Sequence, residues 1–123
     1  MDATPPLIVI LEDDTGLRRA IERLLTLSGF GTRTYGSADG PDLPMHASSA
    51  HCLVVDVQLP GRSGPEFYAA LPDPRPPVVF ITAFDGPSTR HELSRVQKYI
   101  LLNKPFLGKE LLEAVDAATG KIP

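Results

Sequence analysis

Five mostly apolar residues, His51 to Val55, run directly into a carboxylate at Asp56, and the chain then breaks at Pro60, Gly61 and Gly64. A short continuous apolar run bounded by turn residues suits a strand covered on both faces, as in a parallel sheet, better than a half-exposed one. Asp56 then stands at the carboxyl end of that strand, where open α/β sheets place their ligands. Taken alone, a strand-terminal aspartate is explained equally well as a cap for the following loop.

Other runs end in the same way. Leu7-Ile-Val-Ile-Leu11 leads into Glu12-Asp13-Asp14, Val78-Val-Phe-Ile81 into Thr82, and Tyr99-Ile-Leu-Leu102 into Asn103-Lys104-Pro105; Thr32 to Tyr35 is a fifth, shorter strand candidate. Between them the period changes. Leu17, Ala20, Ile21, Leu24 and Leu25 recur at three and four residues, which predicts an amphipathic helix capped by Asp14 or Thr15 and ended at Gly29. Leu111, Leu112, Val115 and Ala118 predict a last helix ending at Gly120. The segment from Ser37 to Ala50 carries Pro41 and Pro44 and predicts only a short helix, Glu66 to Leu71 a brief one with Phe67, Ala70 and Leu71 inward, and Ser88 to about Gln97 another. Strands alternating with helices through short connections imply right-handed crossovers and a doubly wound parallel α/β sheet with helices on both faces.

The 123 residues fit one domain, 1–123, with residues 1–6 as a disordered or extended lead-in. The single cysteine, Cys52, lies in an apolar run and permits no internal disulfide, which favours a cytoplasmic setting. The longest apolar run is too short for a membrane span, and a formal net charge of −3 lacks the basic excess of a nucleic-acid binder, so neither a membrane nor a direct nucleic-acid partner is expected. His46, His51 and His91 are scattered and have no cysteine pair near them, which argues against zinc. Gly29-Phe-Gly31 follows a helix instead of a strand, so helix termination explains it better than dinucleotide binding.

The predicted sheet collects Glu12, Asp13, Asp56, Thr82 and Lys104 at one edge. Three carboxylates brought together repel each other and raise one another's pKa unless a cation is present. Mg²⁺ prefers oxygen ligands and is commonly held by one or two carboxylates together with a phosphate. Each residue has an ordinary structural explanation: a charged helix entry for Glu12 to Asp14, a simple ion pair for Lys104, a backbone bond for Thr82. Together they supply what phosphoryl transfer demands, namely a nucleophilic carboxylate, a bridging metal and donors for the remaining oxygens.

The chain resembles the receiver domain of two-component response regulators through Val9-Ile-Leu-Glu-Asp-Asp14 with Arg18, Val54-Val-Asp-Val-Gln-Leu-Pro-Gly-Arg-Ser-Gly64, Ile81-Thr-Ala83 and Lys104-Pro105-Phe106. The resemblance implies a flavodoxin-like five-stranded sheet of order 2-1-3-4-5. It implies that Asp56 accepts a phosphoryl group from a sensor histidine kinase, a phosphotransfer protein or a small donor. It also implies that Mg²⁺ is bound by Asp13, Asp56, the Gln58 backbone carbonyl and, through water, Glu12. Thr82 and Lys104 would bond the phosphoryl oxygens, with a cis bond at Lys104-Pro105. The chemistry would be confined to the protein's own aspartate, so the chain is not expected to be an enzyme with an external substrate.

The family's switch draws the threonine inward and often moves an aromatic three residues before the lysine; here that position is Leu101, with Tyr99 two residues earlier on the same face. Phe84, two residues after Thr82, is expected to shield the acyl phosphate from water. The resemblance further implies a downstream effector domain or protein, and it leaves a homodimer open, although the fourth helix lacks the family's usual Gly-Ala end. Two competing readings are a receiver-like interaction adaptor that works without phosphate, motivated by Leu101 and the altered fourth helix, and a Mg²⁺-dependent phosphohydrolase. The second is disfavoured because Gln58 stands where such enzymes carry another acid.

Overall fold

The computed structural model describes residues 4–120; the expectation for the first three residues of the lead-in therefore lies outside the described residues, while residues 4–6 carry no regular structure. Five parallel strands, β1 (Leu7–Leu11), β2 (Gly31–Tyr35), β3 (Cys52–Asp56), β4 (Val78–Thr82) and β5 (Ile100–Asn103), form one sheet in the order β2-β1-β3-β4-β5. The helices α1 (Thr15–Leu27), α2 (Leu43–Ser48), α3 (Gly64–Ala69), α4 (Pro87–Leu93) and α5 (Gly108–Thr119) alternate with them. The alternation of strand and helix signals predicted the parallel sheet with helices on both faces, and its strand order is the flavodoxin-like one that the resemblance implied.

The two-residue period of the strands divides the core into two halves. Val9, Leu11, Leu53, Val55 and Phe80 face Leu43 and Ala47 of α2, Phe67 and Tyr68 of α3, and Leu93 of α4. Ile8, Ile10, Cys52, Val54, Val79 and Ile81 face Ile21 and Leu25 of α1 and Leu111, Ala114 and Val115 of α5. Both faces of β3 and β4 are thus dry, which is why their sequences are continuous apolar runs and not alternating ones.

Asp14 caps α1 by accepting from the Leu17 amide at 3.1 Å, and Gly29 and Gly120 leave their helices at φ +98° and +74°, a region costly for any residue with a Cβ. Several expectations need correction. α3 begins and ends two residues early, and Tyr68, not Ala70, turns inward, because the Tyr68 hydroxyl has a buried acceptor in the Pro76 carbonyl at 2.5 Å. Ala20 of α1 is exposed. α4 stops at Leu93 instead of continuing to Gln97, since the chain turns to bury Val96 before entering β5, which starts at Ile100 and not Tyr99.

Register places the strand ends in a row. Leu11 lies beside Val55, Asp56 beside Ile81, and Thr82 beside Asn103. At or just past each of these ends stands a polar residue: Glu12, Asp56, Thr82 and Lys104.

Candidate functional site

Glu12 leaves β1 with its side chain turned into the protein and fully buried, while Asp13 next to it is exposed. Glu12 Oε2 accepts from the Asp14 amide at 2.9 Å, and the Glu12 carbonyl accepts from Arg18 Nη1 at 2.8 Å, so the first turn of α1 holds the acid in place. Asp56 is 3% exposed at the end of β3. Its Oδ1 accepts from the Gln58 amide at 3.0 Å and its Oδ2 from Lys104 Nζ at 2.9 Å. One oxygen of each of Glu12, Asp13 and Asp56 lies within 4.8 Å of the others.

Lys104 reaches this cluster because its amide donates to the Thr82 carbonyl at 2.8 Å, extending the β4–β5 pairing by one residue; the Lys104-Pro105 peptide is cis, as expected. The ammonium lies 2.9 Å from Glu12 Oε1 as well as from Asp56. Gly64 fits against the other side of the acceptor strand. A Cβ there would stand 2.2 Å from the Asp56 carbonyl oxygen and 2.7 Å from Val55 Cγ1, so only glycine lets α3 start this close to Asp56.

The charges are unbalanced. Three carboxylates gather here and two of them, Glu12 and Asp56, contact the Lys104 ammonium; burial pushes the Glu12 carboxyl up to about 6, with the Asp56 charge adding to the rise and Lys104 and the Asp14 amide opposing it. Burial on its own would lower the Lys104 pKa, but the attraction of the Glu12 and Asp56 carboxylates outweighs it and raises the value. Glu12 Oε1 is buried and makes no aligned hydrogen bond; its contact with Lys104 is an ion pair only. A buried oxygen without a directed donor, an exposed carboxylate beside it and a set of hard oxygen donors together fit a divalent cation such as Mg²⁺.

Thr82 is buried at the end of β4, and its hydroxyl is shared among three groups. The Phe84 amide donates to it at 3.0 Å, and its own proton has the Phe84 carbonyl at 2.7 Å and Gln58 Oε1 at 3.1 Å as acceptors. Gln58 Nε2 in turn donates to Thr89 Oγ1 at 3.0 Å, on α4. Phe84 itself is 70% exposed, and Leu101 packs, together with Tyr99 just before β5, against the half of the core that contains Phe80, so the two side chains lie on the same side of the sheet as expected. Glu12, Asp13, Asp56, Thr82 and Lys104 thus lie at one edge of the sheet, where the strand signals in the sequence put them. The sequence gives no sign of the Gln58 side chain as a link to Thr89, nor of Ser63 donating to Glu92 at 2.7 Å across the same gap, because contacts 31 and 29 residues apart leave no periodic signal.

The family profile described as the response regulator receiver domain matches residues 8–116. Nodulation protein W of Bradyrhizobium diazoefficiens is 34% identical over 120 residues, covering 95% of this chain and 52% of that protein. The response regulator protein FleR of Pseudomonas aeruginosa is 32% identical over 94% of this chain and 25% of its own length. A solved response regulator receiver protein from Burkholderia phymatum superposes with a TM-score of 0.78 at 35% identity, covering 94% of this chain and 95% of that one. The chain thus spans about half the length, or less, of these curated relatives.

Proposed function

Since the chain belongs to the response regulator receiver domain family, we propose that Asp56 is its phosphoacceptor and that the transfer requires Mg²⁺. The observation that carries this reading is the Asp56 carboxylate itself, buried at a strand end with Lys104 at 2.9 Å and two further acids within 4.8 Å. An Asp56 oxygen attacks the phosphorus of a phosphohistidine on a sensor kinase or phosphotransfer protein, or of a small acyl phosphate. The bond from phosphorus to the donor breaks, a bond to the carboxylate oxygen forms, and the donor leaves with the electron pair.

Glu12, Asp13, Asp56 and the Gln58 carbonyl are the candidate ligands of Mg²⁺, which when bound supplies neutralisation of the charge between carboxylate and phosphoryl oxygens. Lys104 supplies a second positive charge already in contact with the acceptor, with no reorganisation needed at the moment of transfer. The Gln58 amide on Oδ1 fixes the carboxylate plane. Phosphorylation replaces the single negative charge of the Asp56 carboxylate with a phosphoryl group carrying roughly −1.5 to −2 and three acceptor oxygens, which draws the Thr82 hydroxyl inward. The chemistry ends on the protein's own side chain, so no external substrate is turned over.

The partners on this reading are the phosphodonor and a downstream effector domain or protein, in the cytoplasm, with homodimerisation as one form of output. No helix among the described residues is long and apolar enough to cross a membrane. The test is mass detection after incubation with acetyl phosphate. The parent gains one phosphoryl group with Mg²⁺ and none without it, and Asp56→Asn gains none. Absence of labelling in the parent, or labelling of Asp56→Asn, refutes the assignment. Partner binding and signalling that survive Asp56→Asn favour the phosphate-independent adaptor instead.

A further inference from the structure

We propose that Gln58 is a positioning residue whose carboxamide ties the switch hydroxyl of Thr82 to helix α4 through Thr89, so that α4, and not an aromatic on β5, is released when Thr82 moves. The proposal rests on the phosphoacceptor reading for what triggers the release, but the tie itself is a property of the unmodified protein.

The donor inventory fixes the orientation of the carboxamide. Thr89 is 1% exposed, and its hydroxyl donates to the Phe84 carbonyl at 2.5 Å, so its proton is committed and its oxygen must accept. Gln58 Nε2 is the group that donates to it, at 3.0 Å. That leaves Gln58 Oε1 facing Thr82 Oγ1 at 3.1 Å, as an acceptor. The one Thr82 proton is shared between Gln58 Oε1 and the Phe84 carbonyl, which also accepts from Thr89, closing a ring of Thr82, Gln58, Thr89 and Phe84 around the start of the β4–α4 connection. Both hydroxyls in this ring are buried, so each lost partner leaves a polar group without water to replace it.

A second tie runs parallel to the first. Ser63, the residue that caps α3 by accepting from the Glu66 amide at 3.1 Å, uses its proton to donate to Glu92 Oε1 at 2.7 Å, one turn further along α4. The β3–α3 loop therefore grips α4 at Thr89 and at Glu92, on residues that share a helix face. A hydroxyl drawn toward a phosphoryl group on Asp56 leaves Gln58 Oε1 and the Phe84 carbonyl, and the first tie opens. The Leu101 side chain on β5 offers no polar group or ring to report the same movement, whereas Gln58 and Thr89 connect it directly to the buried side of α4.

The experiment measures amide hydrogen exchange across residues 86–94 in the full chain, with and without acetyl phosphate and Mg²⁺, in the parent, Gln58→Met, Thr89→Val, the double variant and Thr89→Ser. In unphosphorylated protein, each near-isosteric single variant should speed α4 exchange about five- to tenfold, as the loss of one or two net hydrogen bonds implies. The double variant should add little to either single one, and Thr89→Ser, which keeps the hydroxyl, should restore slow exchange. In the parent, phosphorylation should speed α4 exchange to a similar degree, and in Thr89→Val it should change it little further although Asp56 still takes the label. Singles that leave α4 exchange at the parent rate, or additive effects in the double variant, overturn the tie while the labelled mass leaves the phosphoacceptor reading standing. A parent that takes no label overturns that reading and the trigger with it, and the exchange rates of the unphosphorylated variants then decide the tie alone.

Discussion

Replacing Glu12 with glutamine should make the metal-free protein more stable at neutral pH, although it removes a contact to Lys104. The Glu12 side chain is fully buried, and its pKa is raised from an ordinary 4.5 to about 6. The folded protein therefore holds a proton that the unfolded chain has released between those values. The stability this group contributes is fully present below about 4.5 and is lost as pH rises through about 6. At pH 7.5 the ionised carboxylate costs the fold about 2 kcal/mol relative to its protonated form. Glutamine keeps the shape and the acceptor for the Asp14 amide but carries no charge, so Glu12→Gln should recover about that amount, or about 6–10 °C in Tm for a domain of this size. The assay is urea unfolding in EDTA at pH 4.0 and pH 7.5 for both proteins; the parent should be close to the variant at the lower pH and fall behind at the higher one. Adding Mg²⁺ at pH 7.5 should stabilise the parent more than the variant, because a bound cation favours the native state by mass action. A variant that is no more stable than the parent at pH 7.5, or a difference that does not change with pH, would show that Lys104 already compensates the buried charge and that no unmet demand for a cation exists.

Lys104→Met should leave Mg²⁺-dependent mass labelling by acetyl phosphate about 100-fold slower, the scale of losing one preorganised charge-stabilising group; an unchanged rate would remove Lys104 from the chemistry. Gly64→Ala should cost at least about 3 kcal/mol in denaturant unfolding, at the upper end for an overpacked site, since the added methyl meets backbone at 2.2 Å and neither β3 nor α3 can yield without the other. Phe84→Ala should shorten the lifetime of the acyl phosphate, followed as loss of labelled mass after the donor is removed; a lifetime equal to the parent's would show that the exposed ring does not restrict water.

The strands and the residues at their ends were legible because a parallel sheet covered on both faces demands continuous apolar segments, and a chain leaving such a segment must turn polar. Val54 to Asp56 and Val78 to Thr82 announce both facts within a few residues. The turn glycines were legible for a similar local reason, in that Gly29 and Gly120 end helices. The end of α4 was not, because the stretch from Ser94 to Lys98 is polar except for Val96, and that single buried residue decides where the helix must stop. Likewise Ala70 and Tyr68 compete for one inward position in α3, and the Pro76 carbonyl, eight residues away from Tyr68, settles it.

By itself, then, the order of residues determined which side chains would gather at the carboxyl edge, since strand polarity and parallel register align every strand end. Only the folded structure decided how they divide the work: Glu12 buried and Asp13 exposed, Lys104 shared between two acids, Gln58 turned from Asp56 toward Thr82 and Thr89. The physical reason is range. Periodicity and turn chemistry act over a few neighbouring residues, whereas desolvation of a charge and the choice of a hydrogen-bond partner depend on whichever segment packing brings alongside.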